Sequence, residues 1–139
     1  MGVISLIASK NYIAVNKVLA QEFGLYEAVI LGELASEFEY WEQQEKLDNG
    51  YFFSTVENVK QNTTLSDKQQ RAAMNTLKNM GIIEVKLKGI PVKRYIRINE
   101  EQLTPYLLNS TYQTGGTSFA ETEELEAPKR QSNNNKLNN

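Results

Sequence analysis

A chain of 139 residues has the length of one domain and can bury a core without a metal or disulfide staple. It contains no cysteine and no histidine, which excludes zinc fingers, thiol catalysis, imidazole acid–base chemistry and any disulfide framework. The formal charge of -2 hides an asymmetry: residues 1–59 carry three lysines against nine carboxylates, residues 60–97 carry nine basic side chains against Asp67 and Glu84, and the last 42 residues carry three basic against six acidic.

A local block of positive charge between acidic flanks attracts a phosphate backbone through counterion release. No apolar run reaches the roughly eighteen residues of a membrane span, and "MGVISLIAS" lacks the flanks of a signal peptide. Leu6 also stands where a myristoylation pattern wants Ser or Thr. A cytoplasmic protein without membrane attachment is the expectation.

In chain order, "NYIAVNKVLAQEFG" predicts a short helix from about Asn16 to Phe23, with Val15, Val18, Leu19 and Phe23 on one stripe and Gly24 as its stop. A longer helix follows in "LYEAVILGELASEFEYWEQQEKL". Its apolar positions are Leu25, Ala28, Val29, Leu31, Leu34, Ala35, Phe38 and Trp41, with Glu residues mostly on the other side. Gly32 inside it reads as a kink or a packing notch. "DNG" at 48–50 is a turn and "YFF" a short strand.

"STVENVKQNTTLSDKQQRAAMNTLKNMGII" contains two capping boxes, Ser54 with Glu57 and Ser66 with Gln69, and so two helix starts. The first helix covers about Thr55 to Gln61 and turns Val56 and Val59 inward. After the connection "NTTL" the second runs from Asp67 to Met80, with Ala73, Met74, Leu77 and Met80 on its apolar stripe and a stop at Gly81. Two short helices joined this tightly are a helix-turn-helix.

Beyond Gly81 the period changes from 3.6 to 2. The inward set is Ile83, Val85 and Leu87, then Val92, Ile96 and Ile98, in a hairpin closed by Lys88, Gly89, Ile90 and Pro91. The other face carries Lys86, Lys88, Lys93, Tyr95 and Arg97. Arg94 has inward parity but is expected to reach solvent where the strands outrun the core. "NEEQLTPYLLN" predicts a last short helix, capped by Asn99 and interrupted by Pro105, with Leu103, Leu107 and Leu108 packing back. Residues 1–109 therefore form the domain, and the polar, Asn-rich residues 110–139 read as a disordered tail or linker.

The order helix, helix, short strand, helix, helix, hairpin is that of a winged helix-turn-helix with two extra N-terminal helices, a mainly α fold with a β-hairpin (α+β). With the apolar stripe of the second helix inward, Lys68, Gln69, Arg71, Ala72, Asn75 and Thr76 turn outward, and Lys78 and Asn79 continue that surface. Gln69 and Asn75 have the amide chemistry for adenine and Arg71 the fork for guanine, while Lys60, Lys68, Lys86, Lys88, Lys93 and Arg97 suit phosphates and Arg94 lies beside them. The expectation is double-stranded DNA binding by the helix at 67–80 and the basic wing at 82–98, on one continuous positive surface. Two N-terminal helices pairing two protomers complete it.

Other constellations point elsewhere only weakly. The Glu33 and Glu37 pair lacks a third ligand, a phosphate-binding glycine loop or a nucleophile, and reads as a solvated acidic face. No metal site, cofactor or enzymatic activity is expected. Phe38, Tyr40, Trp41, Tyr51, Phe52 and Phe53 read as core or an oligomer interface rather than a base-stacking platform, because acidic residues stand among them. A protein-docking or oligomerisation module, and a transcriptional regulator with the same DNA contacts, are the alternatives.

The stretches from Tyr12 to Asn99, above all "LSDKQQRAAMNTLKNMGII" and "KGIPVKRYIRI", resemble helix-turn-helix proteins common in phages and mobile elements of Gram-positive bacteria. Many of those are described as replication initiators or replisome organisers, and their N-terminal winged helix is similar to that of the primosome protein DnaD. The resemblance implies a winged-helix DNA-binding domain in phage or mobile-element replication, with a helicase or its loader as a further partner. Many relatives continue into a second domain, so this sequence reads as a truncated form or a fragment.

Overall fold

The computed structural model describes residues 2–108; the proposed tail at 110–139 lies outside them. Its elements run α1 (Val3–Ser9), α2 (Lys17–Phe23), α3 (Leu25–Gln43), β1 (Phe52–Phe53), α4 (Val56–Thr63), α5 (Asp67–Asn79), β2 (Ile83–Lys88), β3 (Lys93–Ile98) and α6 (Glu100–Leu108). The chain divides into two compact units at Leu103, the first holding everything from α1 to the start of α6. Helices predominate and the three strands form one antiparallel sheet in the order β1-β3-β2, the expected α+β architecture.

Local chemistry sets most boundaries. Asn16 caps α2 by accepting from the Leu19 amide, and Gly24, at φ +117°, separates α2 from α3. The helix α3 passes continuously through Gly32, where an added Cβ would meet only the Ala14 carbonyl oxygen at an ordinary 3.6 Å. No kink or tight notch explains this glycine. Along α3 the expected stripe is displaced: Ile30 and Glu37 are buried, whereas Leu25 and Ala35 are exposed. The helix runs through the middle of the domain, packed against α2, α4, α5 and β1, so its buried face is wider than one amphipathic stripe. α1 was not anticipated; none of its residues is buried, and Val3, Ile4, Leu6 and Ile7 are exposed.

The first capping box is corrected by one residue. Thr55, not Ser54, caps α4 by accepting from the Asn58 amide, and Ser54 is buried instead. The turn of the helix-turn-helix is then tied by Thr63, whose hydroxyl donates to the Val59 carbonyl at 2.7 Å and accepts from the Leu65 amide at 3.2 Å. Thr64 takes the left-handed conformation and Leu65 plugs the core. The buried Gln70 amide donates to the carbonyls of Val56 and Leu65, both at 3.1 Å, and so clamps α4 to the turn. α5 opens on the complete Ser66–Gln69 capping box and ends before Gly81, at φ +75°. Ala73, Met74 and Leu77 are buried as expected, but Met80 is exposed.

In the sheet, Ile96 pairs with both Phe52 and Val85, and it is fully buried with Phe52 and Ile83. The core stops there. Leu87 and Val92, expected inward, are exposed beyond it together with Ile90 at the tip. Asn99 does not cap α6 through its side chain: its amide donates to the Gly81 carbonyl at 2.7 Å and its oxygen accepts from Arg97. The helix forms with Pro105 inside it and buries no residue, so Leu107 and Leu108 are not core.

Candidate nucleic-acid interface

Four outward positions of α5, Lys68, Arg71, Asn75 and Lys78, recur at spacings of three and four and so share one stripe. All four are exposed, and no ion pair or hydrogen bond occupies their side chains among the described residues. Arg71, Asn75 and Lys78 also line a groove of about 290 Å³ whose opposite wall is Val85 and Arg94 of the hairpin. The second helix of the helix-turn-helix thus presents free donors beside a cleft, with the wing across from it.

One proposed base reader, Gln69, and one further outward residue, Thr76, are engaged within the fold. Gln69 spends its amide within the fold, its Oε1 accepting from the Ser66 amide at 2.9 Å and its Nε2 donating to the Tyr26 hydroxyl at 3.5 Å. Thr76, seven residues on and hence on the same flank, donates from its hydroxyl to the Ala72 carbonyl at 3.2 Å. The capping box already visible in the sequence was the signal that Gln69 was committed.

The wing does not extend the α5 stripe as expected. Side chains alternate across a sheet, and the register places Lys86 opposite Tyr95, Lys88 opposite Lys93 and Glu84 opposite Arg97. These form the face turned away from Val85 and Ile96, hence away from the groove. The positive charge is therefore divided between two surfaces. On the outer one, Lys86 Nζ sits 4.1 Å from the Tyr51 ring centre, Lys88 Nζ 4.8 Å from that of Tyr95, and Lys93 Nζ 5.6 Å from that of Phe53. Several cations are also tied to carboxylates: Lys60 to Asp67 at 3.8 Å, Lys88 to Asp48 at 3.5 Å and Arg97 to Glu84 at 3.1 Å. The Tyr51 hydroxyl donates to the same Glu84 carboxylate at 3.0 Å. That hydrogen bond, followed by Arg97, holds the Glu84 carboxyl below its usual range. Such exposed pairs contribute little stability and exchange readily for other partners.

Arg94 does not lead out to solvent. It folds inward and donates from Nε to the Ser54 carbonyl at 3.1 Å and from Nη2 to the Ser54 hydroxyl at 3.3 Å. Burial lowers its pKa and the nearby Glu37 opposes that. Glu37, expected on a solvated face, is buried. Burial first, then the Glu33 carboxylate, push its carboxyl up to about 8. Its Oε2 accepts from Asn58 at 3.4 Å and Oε1 has no donor against it, so the protonated acid can donate to Glu33. Glu33 in turn accepts from Asn62 at 2.8 Å. The two acids tie α3 to α4 and line, with Trp41, Phe53 and Ser54, a cleft of about 520 Å³. No group of three or more acidic, His or Cys side chains suited to a metal occurs among the described residues.

The fold is similar to two solved structures. One is described as the N-terminal domain of a DNA-binding protein, with a TM-score of 0.53 and 11% identity over 83% of this chain and 97% of that one. The other is the structure of a Rep–DNA complex, with a TM-score of 0.52 and 12% identity over 84% of this chain and 98% of that one. At such identities the likeness is one of fold. Neither a protein-family model nor a curated protein matches the chain.

Proposed function

We propose that this protein binds double-stranded DNA, with α5 in the major groove and the hairpin along the flanking backbone, as a non-enzymatic component of phage or mobile-element replication initiation. The observation that carries this reading is the stripe Lys68, Arg71, Asn75 and Lys78, exposed and unoccupied on the second helix of a helix-turn-helix. Arg71 offers the bidentate fork that suits guanine and Asn75 the amide that suits adenine. Lys68 and Lys78 flank them as phosphate contacts, and the hairpin across the groove lies along the adjoining backbone. Likeness in fold to structures described as a DNA-binding domain and a Rep–DNA complex and the sequence resemblance to replication initiators support the same assignment.

The exposed apolar side of α1 supports self-association through the N-terminal helices, and a helicase or its loader is the further partner this role calls for. No helix among the described residues is long and apolar enough to cross a membrane, in keeping with a cytoplasmic role on DNA. A salt titration of duplex affinity tests the reading. Each of Lys68→Ala and Lys78→Ala should flatten the slope of log affinity against log salt by about 0.9, while Lys86→Gln leaves it in place. Equal slopes for all three variants and the parent would refute the docking.

A further inference from the structure

The outer face of the sheet is a second construction, separate from the α5 groove. Tyr51, Phe53 and Tyr95 lie side by side on it, half-buried, with the Phe53 and Tyr95 ring centres 5.9 Å apart and Trp41 a further 6.4 Å from Phe53. Each of the three sheet rings has a lysine ammonium over it, from Lys86, Lys93 and Lys88 respectively. Significant cation–π pairs occur about once per 70–80 residues; three on one small face are a concentration of a particular chemistry. Two acids at this face are paired with its cations, Asp48 with Lys88 and Glu84 with Arg97.

We infer that this outer sheet face binds a single nucleic-acid strand, its bases stacking on Tyr95, Phe53 and Tyr51 and its phosphates taken by Lys86, Lys88 and Lys93. A flat ring answers a base of any sequence, and a flexible ammonium beside each ring answers the phosphate that accompanies the base. A nucleotide chain supplies both partners at every residue, whereas an acidic peptide satisfies only the charge. In the free protein the lysines cover the rings themselves. A strand replaces each such pair by a stack and an ion pair, at the cost only of weak, exposed contacts. A duplex cannot use the platform, because its bases are already stacked and turned inward.

The test uses the full chain with fluorescently labelled oligothymidylate, oligouridylate and a short duplex, followed by anisotropy at low salt. Tyr95→Leu, which keeps apolar bulk in the strand but removes the ring, and Lys86→Gln, which alters only an exposed tip, should each weaken single-strand binding about tenfold and leave duplex affinity unchanged. The duplex arm and a thermal melt report folding, and Lys86→Gln carries the test if Tyr95→Leu does not fold. Stronger binding of the deoxy or the ribo strand identifies which is taken. The inference is overturned if neither strand binds, if both variants bind strands like the parent, or if polyglutamate displaces the strand as well as a competing oligonucleotide does. Arg71→Ala with Asn75→Ala should abolish duplex preference and spare strand binding; loss of both together assigns the strand to α5 and also overturns it.

Discussion

The two basic surfaces of this domain carry the same sign and different chemistry. On α5 the tips of Arg71, Asn75 and Lys78 are unoccupied and look into a groove. On the outer sheet every lysine already rests on a ring, and Lys88 and Arg97 also meet carboxylates. The first surface has donors ready for base edges and phosphates at fixed helical spacing. The second has planar faces under movable charge. Net charge does not distinguish them; the neighbours of each cation do.

Both surfaces depend on one strand, and the largest expected effect comes from breaking it. Ile96 is fully buried between β1 and β2, so Ile96→Ala should cost about 2–5 kcal/mol, seen as a lower urea midpoint, with both surfaces lost together. Next, Arg71→Ala and Asn75→Ala should each remove about 1–3 kcal/mol of discrimination at one base position, read by selection from random duplexes. An unchanged preference in both would remove α5 from base reading.

A smaller effect lies beneath the wing, at Glu37. Its folded pKa of about 8 stands above the ordinary value of 4.5, so between those values the folded state holds a proton that the unfolded chain has released. Stability should therefore fall as pH rises through that window, and level off above it. Glu37→Gln cannot ionise, and its advantage over the parent in urea unfolding should grow from pH 5 to pH 8; parallel curves would contradict the burial. Smallest is Gln69→Ala, which opens half of a capping box. It should lower stability by about 0.3–1.5 kcal/mol and leave base preference as it was, in contrast to Asn75→Ala.

Much of this fold was legible because caps and periods are local. The Ser66–Gln69 box, Gly24, Gly81 and the change of period after Gly81 stand where the sequence puts them. What was not legible depended on distant partners. Ser54 looked like a cap because the contact that takes it inward, to Arg94, lies 40 residues away in sequence. Glu37 looked solvated because Asn58 and Ser54, which surround it, come from the next helix and its approach. The wing's parity was correct, yet parity does not say where the core ends, so Leu87 and Val92 were placed inside. The division of the basic block followed from the same alternation and was overlooked; the sequence contained Lys86, Lys88 and Lys93 on one parity, with Val85 and Arg94 on the other.

The commitment of Gln69 to its cap shortens what α5 has to offer. Arg71 and Asn75 stand four residues apart, about 6 Å along the helix axis, against a base-pair rise of about 3.4 Å. On the docking proposed above, one protomer distinguishes a word of roughly two steps, far too common in any genome to mark a place. If that docking holds, selectivity has to come from repetition, with several copies of the short word at a fixed spacing read by self-associated protomers, and the length of that spacing becomes the quantity on which address depends.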